Sequence, residues 1–123
     1  MSNINQVVTT NLTSDKSSCN DHTDCPMSIA LDIIGGKWKV IILHQLRGNT
    51  LRFGQLRKQI PNITQKTLSQ QLKALEQDKL LLRESFHEMP PRVEYTLTTL
   101  AEQLNPTLDS LLAWGKEYQK TQG

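Results

Sequence analysis

Apolar positions are scattered without period through residues 1–24, a polar stretch rich in Ser, Thr, Asn and Asp. Such a segment buries too little apolar surface to offset its ordering entropy, and it predicts a flexible arm. From Cys25 onward the pattern changes. Cys25-Pro26 opens a short helix carrying Met27, Ile29, Ala30, Leu31, Ile33 and Ile34, with proline in the first turn, where its missing N–H costs nothing. Gly35-Gly36 ends it, and a second helix runs from Lys37 to about Arg47 with Trp38, Ile41, Ile42 and Leu46 on one face, stopped by Gly48-Asn49. Both helices are predicted to be mostly core. Thr50 to Arg52 is a short connection or one-rung strand. A third helix follows from about Phe53 to Ile60, with Phe53, Leu56 and Ile60 at helical spacing and Pro61 closing it. Thr64 is a natural N-cap for a fourth helix to about Asp78, whose Leu68, Leu72 and Leu75 form one stripe.

The period then shifts. Leu80 to His87 and Arg92 to Leu97 read as two strands joined by Glu88-Met89-Pro90-Pro91, a hairpin with a stiff tip, that is, a two-stranded wing. A long C-terminal helix begins at Thr98 or Thr99 and carries Leu100, Leu104, Leu108, Leu111, Leu112, Ala113, Trp114 and Tyr118, with Pro106 bending or breaking it. So many large apolar groups exceed what one small core covers, so Leu104, Leu108, Leu111, Leu112 and Trp114 are expected to pair in part with a second copy. The fold class expected is mainly α with a small two-stranded β wing: a winged helix-turn-helix over residues 25–123 behind an arm of residues 1–24. At 123 residues, one compact domain is all the chain can build.

The net charge of +2 says little, but its distribution says more. Ile33 to Leu75 contains eight basic residues and no Asp or Glu, whereas from Arg83 to the end four basic residues face six acids. An ordinary solvated helix face mixes both signs, so an acid-free block spanning three helices points to a polyanion.

In a helix-turn-helix the second helix of the pair enters the major groove. The fourth helix carries side chains suited to that place. Gln matches adenine, Lys donates to guanine, and Ser or Thr serves base or phosphate. Thr64, Gln65, Lys66, Thr67, Ser69, Gln70 and Lys73 supply these groups. Arg52, Arg57 and Lys58 are placed to meet phosphates, and Arg92 beside the tip is expected to reach the backbone or minor groove. The partner is thus expected to be double-stranded DNA.

Cys25-Pro26, Ile33-Ile34-Gly35-Gly36-Lys37-Trp38, Arg52-Phe53-Gly54-Gln55-Leu56-Arg57, Ile63-Thr64-Gln65-Lys66-Thr67-Leu68, Leu72 to Leu75 with Glu76, and Pro91 to Thr98 together resemble the HxlR-type transcriptional regulators, related in architecture to the MarR type. The resemblance covers about residues 25–118. It implies a dimeric winged-helix regulator, a repressor or an activator with repression favoured, whose first and last helices form the dimer interface, adding Ile29 and Ile33 to the C-terminal stripe. Two recognition helices would then read an inverted repeat.

Some members of that family sense quinones, aldehydes, hypochlorite or disulfide stress through the cysteine of the Cys-Pro motif, which here is Cys25. Local physics agrees in part. A helix N-terminus favours thiolate, while Asp21 and Asp24 oppose it. Cys19 is an available resolving thiol, as is the same cysteine of a second subunit, and a small oxidant or electrophile would be the inducer. The plainer reading has Cys25 as a small apolar residue packed under the first helix and Cys19 as an idle thiol.

Other classes fit less well. Cys19-x-x-His22-x-x-Cys25 with Asp21 and Asp24 holds possible metal ligands, but its spacing matches no closed zinc site, and no metal or other cofactor is expected. A regulator answering a non-thiol ligand or metal, and a winged-helix protein-interaction module, stand as the alternatives. His44 and His87 are expected to be structural or solvent-facing. Gly35-Gly36-Lys37 lacks the frame of a phosphate loop, and no Ser/His/Asp or paired-carboxylate arrangement is legible, so no catalytic residues and no enzyme are expected. The N-terminus lacks the basic and apolar regions of a signal peptide, and no apolar run reaches about 18 residues, so a cytoplasmic protein is expected.

Overall fold

The computed structural model describes residues 25–123. The chain divides into two units, of which the first ends at Gly35 and the second runs from Gly36 to Gly123.

The described part of the first unit is one helix, α1 (Pro26–Ile34). Pro26 fills its first turn, and the Ile29 N–H donates to the Cys25 carbonyl at 2.9 Å. Its end is set by Gly35, where a side-chain carbon would stand 2.3 Å from the Leu31 carbonyl oxygen. The expectation that α1 is core does not hold. None of its residues is buried, and Met27, Ile29 and Leu31 are exposed. Apolar residues point in several directions around this helix, and one small chain cannot cover them all.

The second unit runs α2 (Trp38–Gln45), β1 (Leu51–Arg52), α3 (Phe53–Gln59), α4 (Gln65–Gln77), β2 (Leu81–Phe86), β3 (Arg92–Leu97), α5 (Thr99–Glu102) and α6 (Asn105–Gln122). In α2 the buried side is Ile42 and Leu43, continued by Leu46, while Trp38 and Ile41 sit half-buried at its rim. Gly48 then takes φ +71°, a left-handed conformation that glycine adopts without penalty, and turns the chain into β1. The core is built from the helix stripes Ile42, Leu43 and Leu46, Leu56 and Ile60, and Leu68, Leu72 and Leu75, closed by Leu81, Tyr95 and Leu97 of the sheet. Leu108 is the one buried residue of α6, anchoring that helix beside α2.

The wing is larger than the sequence suggests. β1 pairs antiparallel with β3 on the side away from β2, giving a three-stranded sheet of order β1-β3-β2. Two residues of β1 suffice because Leu51 buries against the core while the Thr50 and Thr96 hydroxyls meet at 3.0 Å. The C-terminal helix is broken, as Pro106 requires, but upstream of it. α5 is a single turn capped by the Thr98 hydroxyl, and α6 restarts at Asn105 with Pro106 in its first turn. Among the described residues no helix is long and apolar enough to cross a membrane.

Candidate nucleic-acid interface

Two helices and the turn between them form the centre of this surface. Gln55 closes the start of α3 by accepting a hydrogen bond from the Arg52 backbone N–H at 2.8 Å. Its last turn carries Arg57 and Lys58, both exposed, where cations also suit the negative end of the helix. In the turn, Asn62 adopts φ +72°, one of the few non-glycine residue types that do so at low cost. Thr64 then caps α4, its hydroxyl oxygen accepting from the Thr67 N–H at 3.1 Å.

Because Leu68, Leu72 and Leu75 are buried, the opposite side of α4 is fixed. Lys66, Gln70, Lys73 and Gln77 point away from the core, and Gln65, Ser69 and Glu76 flank them. Five of the residues expected at a DNA surface, Gln65, Lys66, Ser69, Gln70 and Lys73, thus stand exposed on one helix. Its exposed side is acid-free as far as Glu76. The other two expected on α4 and its cap are engaged locally: Thr64 and Thr67 share a hydroxyl–hydroxyl bond of 2.9 Å, and Thr67 is half-buried. Arg52, just before α3, is exposed and lies opposite Glu94 in the sheet register.

Arg92 is differently placed from its expected role. Its guanidinium binds Glu88, binds Glu94 at 3.0 Å, and lies over the Phe86 ring at 4.1 Å. It therefore knits the outer face of the wing together, with its charge already answered by two carboxylates. Arg47, one of the eight cations of the acid-free block, is likewise answered, by Asp109 at 2.6 Å. Its hydrogen bond holds the Asp109 carboxyl below its ordinary value; burial opposes that shift, and the charges of Arg47 and His44 add to it.

Sequence reading missed Arg83. Counting charges places it in the acidic half of the chain, yet in the sheet it stands opposite Tyr95, and with Ser69, Lys73 and Glu76 these two residues line a groove of about 320 Å³ between α4 and the sheet. The signal was the two-residue alternation of β2, but its register against β3 is what turns Arg83 toward α4.

Cys25 is the residue just before α1. It is buried, at 4% exposure, and it is disulfide-bonded, so it is not a free thiol. Cys19, Asp21, His22 and Asp24 lie outside the described residues. Of the expected dimer residues, Ile29, Leu111, Leu112 and Trp114 are exposed, Ile33 and Leu104 half-buried, and Leu108 faces the chain's own core.

A helix-turn-helix with its second helix presented beside a β wing defines a winged-helix DNA-binding protein. Residues 33–123 match the family described as HxlR-like helix-turn-helix, and the chain belongs to that family of transcriptional regulators. It is 43% identical over 102 residues to the HTH-type transcriptional regulator YdeP of Bacillus subtilis, covering 83% of this chain and 80% of that one. Among solved structures, it resembles the redox regulator HypR in its reduced form, at TM-score 0.74 and 38% identity, over 78% of this chain and 95% of that chain. It also resembles the reduced form of the transcriptional regulator YodB from B. subtilis, at TM-score 0.67 and 34% identity, over 76% and 93% of the two chains.

Proposed function

We propose that this regulator is a sequence-specific repressor that binds an inverted-repeat operator as a homodimer and is switched by thiol chemistry at Cys25. The observation that carries the DNA reading is the exposed side of α4, where Gln65 and Gln70 offer paired donors and acceptors and Lys66 offers donors suited to base edges, with Ser69 and Lys73 beside them on the same acid-free face. Arg52, Arg57 and Lys58 flank it for the phosphates. Dimerisation is supported by the exposed apolar side chains of α6 and, separately, of α1. Two copies would have to set their recognition helices about 34–36 Å apart to enter successive major grooves.

The switch rests on the position of Cys25 next to α1, on its bonded state, and on the likeness to HypR, a redox regulator. In the reaction, Cys25 and a second thiol, that of Cys19 or of the same cysteine in a second copy, lose two protons and two electrons to an oxidant and form one S–S bond. Reduction by a dithiol reverses it. A change at the start of α1 would alter the pairing of the two copies and hence the spacing of their recognition helices.

The test is binding to the duplex upstream of the protein's own coding sequence across a salt series, after reduction by a dithiol and again after diamide, for wild type and Cys25→Ser. Diamide should release DNA from the wild type alone. Salt-sensitive binding that ignores diamide would retain the DNA reading and discard the switch.

A further inference from the structure

We propose that the groove between α4 and the sheet seats a phosphodiester of the DNA backbone, with Arg83 and Lys73 as its two cations. The proposal rests on the DNA-binding reading above and deepens it by naming where the wing meets the nucleic acid.

The register decides which arginine of the wing is available. Arg83 pairs with Tyr95, while Arg92 pairs with Phe86. Side chains alternate along a strand, so Arg83 shares its face with Leu81 and Leu97, the buried side of the sheet, and Arg92 projects from the other. That outer face also carries Glu84 and Glu94, with Glu88 at the tip, and two of these three already hold Arg92. A polyanion approaching there would meet more carboxylate than free cation.

The inner groove has the opposite character. Ser69, Lys73 and Glu76 come from successive turns of α4, and Arg83 and Tyr95 from the sheet. Lys73 and Arg83 are both exposed, and among the described residues neither is in an ion pair. With Glu76 as the one carboxylate, the formal charge of the groove is +1, from two cations and one anion, which matches the single negative charge of a phosphodiester. The Ser69 hydroxyl adds a neutral donor.

Geometry supplies the phosphate. A helix lying in a major groove about 12 Å wide is flanked on both sides by sugar-phosphate backbone. On the side of α4 that faces the wing, the residues a flanking backbone would meet are Ser69 and Lys73, and Arg83 of β2 lines the same groove. A cation seated on a phosphate in this way adds affinity without reading sequence.

The experiment measures the salt dependence of duplex binding for the full chain, on the operator duplex and a scrambled one, by fluorescence anisotropy. Arg83→Gln should weaken both complexes equally and lower the slope of log K against log salt by about 0.9 for each phosphate that the protein no longer neutralises. Arg83→Lys should retain the slope, and Glu76→Gln should tighten both complexes. Lys116→Gln, on α6, serves as the remote control. If Arg83→Gln folds and keeps the wild-type slope, or weakens only the operator complex, the phosphate seat is overturned. A wild type that binds neither duplex would instead overturn the DNA reading itself, so the two failures are distinct.

Discussion

Arg47, just past the end of α2, and Asp109 in α6 hold each other across 62 residues of sequence through two bonds, Nη1 to Oδ1 at 2.6 Å and Nη2 to Oδ2 at 3.3 Å. Together with Leu108, which is buried one residue earlier, this bidentate pair fixes how α6 leaves the winged domain. The consequence for function is indirect, because α6 also carries the exposed apolar side chains on which the proposed dimer rests.

The pair makes stability depend on pH in one direction. Asp109 has a folded pKa below its unfolded value, chiefly through the Arg47 hydrogen bond, so its contribution is fully present above the ordinary carboxylate range and is lost as pH falls through the folded value. Melting temperatures of wild type and Asp109→Asn should therefore differ slightly at neutral pH and converge as pH falls below the ordinary carboxylate range. The difference is small because Asp109 is well exposed. A gap that persists unchanged into acid would show that the pair contributes nothing through its charge.

The side of α4 opposite the core should separate specificity from affinity. Gln70 points directly away from Leu72 and Leu75, and has no hydrogen-bond partner among the described residues. If it reads a base edge, Gln70→Ala should cost roughly 1–3 kcal/mol on the operator and far less on a scrambled duplex. Arg57→Ala, at the end of α3, should weaken both complexes alike. Equal losses for Gln70→Ala on the two duplexes would remove Gln70 from base reading.

The end of α4 offers a stabilising change. Lys79 has φ +66° and sits where the Leu80 N–H reaches back to the Leu75 carbonyl at 2.9 Å and its own N–H to that of Glu76 at 3.0 Å. These are the two bonds of a helix end that glycine usually occupies. Relief of the left-handed strain outweighs the added chain entropy, so Lys79→Gly should raise stability by about 0.5–1 kcal/mol in chemical denaturation. Lys79 lies outside the surface proposed for DNA, and operator affinity should not change.

The helices were legible because their signals are local. Thr64 caps α4 as its hydroxyl predicts, the stripe of Leu68, Leu72 and Leu75 is buried throughout, and Pro106 opens α6 as its ring demands. What escaped depends on pairing between distant segments. A one-rung strand at Thr50 to Arg52 was one of the two readings open in sequence, but its pairing with β3, where Leu51 meets Tyr95, is announced by no pattern within two residues. Likewise, Arg83 and Arg92 look alike in sequence, and only the register of β2 against β3 turns one toward α4 and hands the other to Glu88 and Glu94. The acid-free block was informative for α4 but overcounted its free cations, because Arg47 is claimed by an acid 62 residues away. The exposure of α1 escaped for a related reason: a short apolar helix reads as core whether its cover comes from its own chain or from another.

That surface leads to a test of assembly. Leu111, Leu112, Trp114 and Tyr118 are all about half exposed or more, and the rings of Trp114 and Tyr118 stack at 5.4 Å, a preformed aromatic plate on α6. Next to it, Val40, Ile41 and His44 of α2 and Leu108, Leu111 and Leu112 of α6 line an almost wholly apolar cleft of about 180 Å³. Left in water, this surface costs free energy that a second copy would recover on burial. Leu111→Asp places a carboxylate at the cleft without touching the buried Leu108, so the winged domain should still fold. In sedimentation equilibrium the wild type should run as a dimer and Leu111→Asp as a monomer. On the operator, the monomer should engage one half-site only, roughly halving the salt slope. If Leu111→Asp keeps the mass of the wild type, α6 does not form the interface through this surface, and dimerisation would have to be sought on α1 alone.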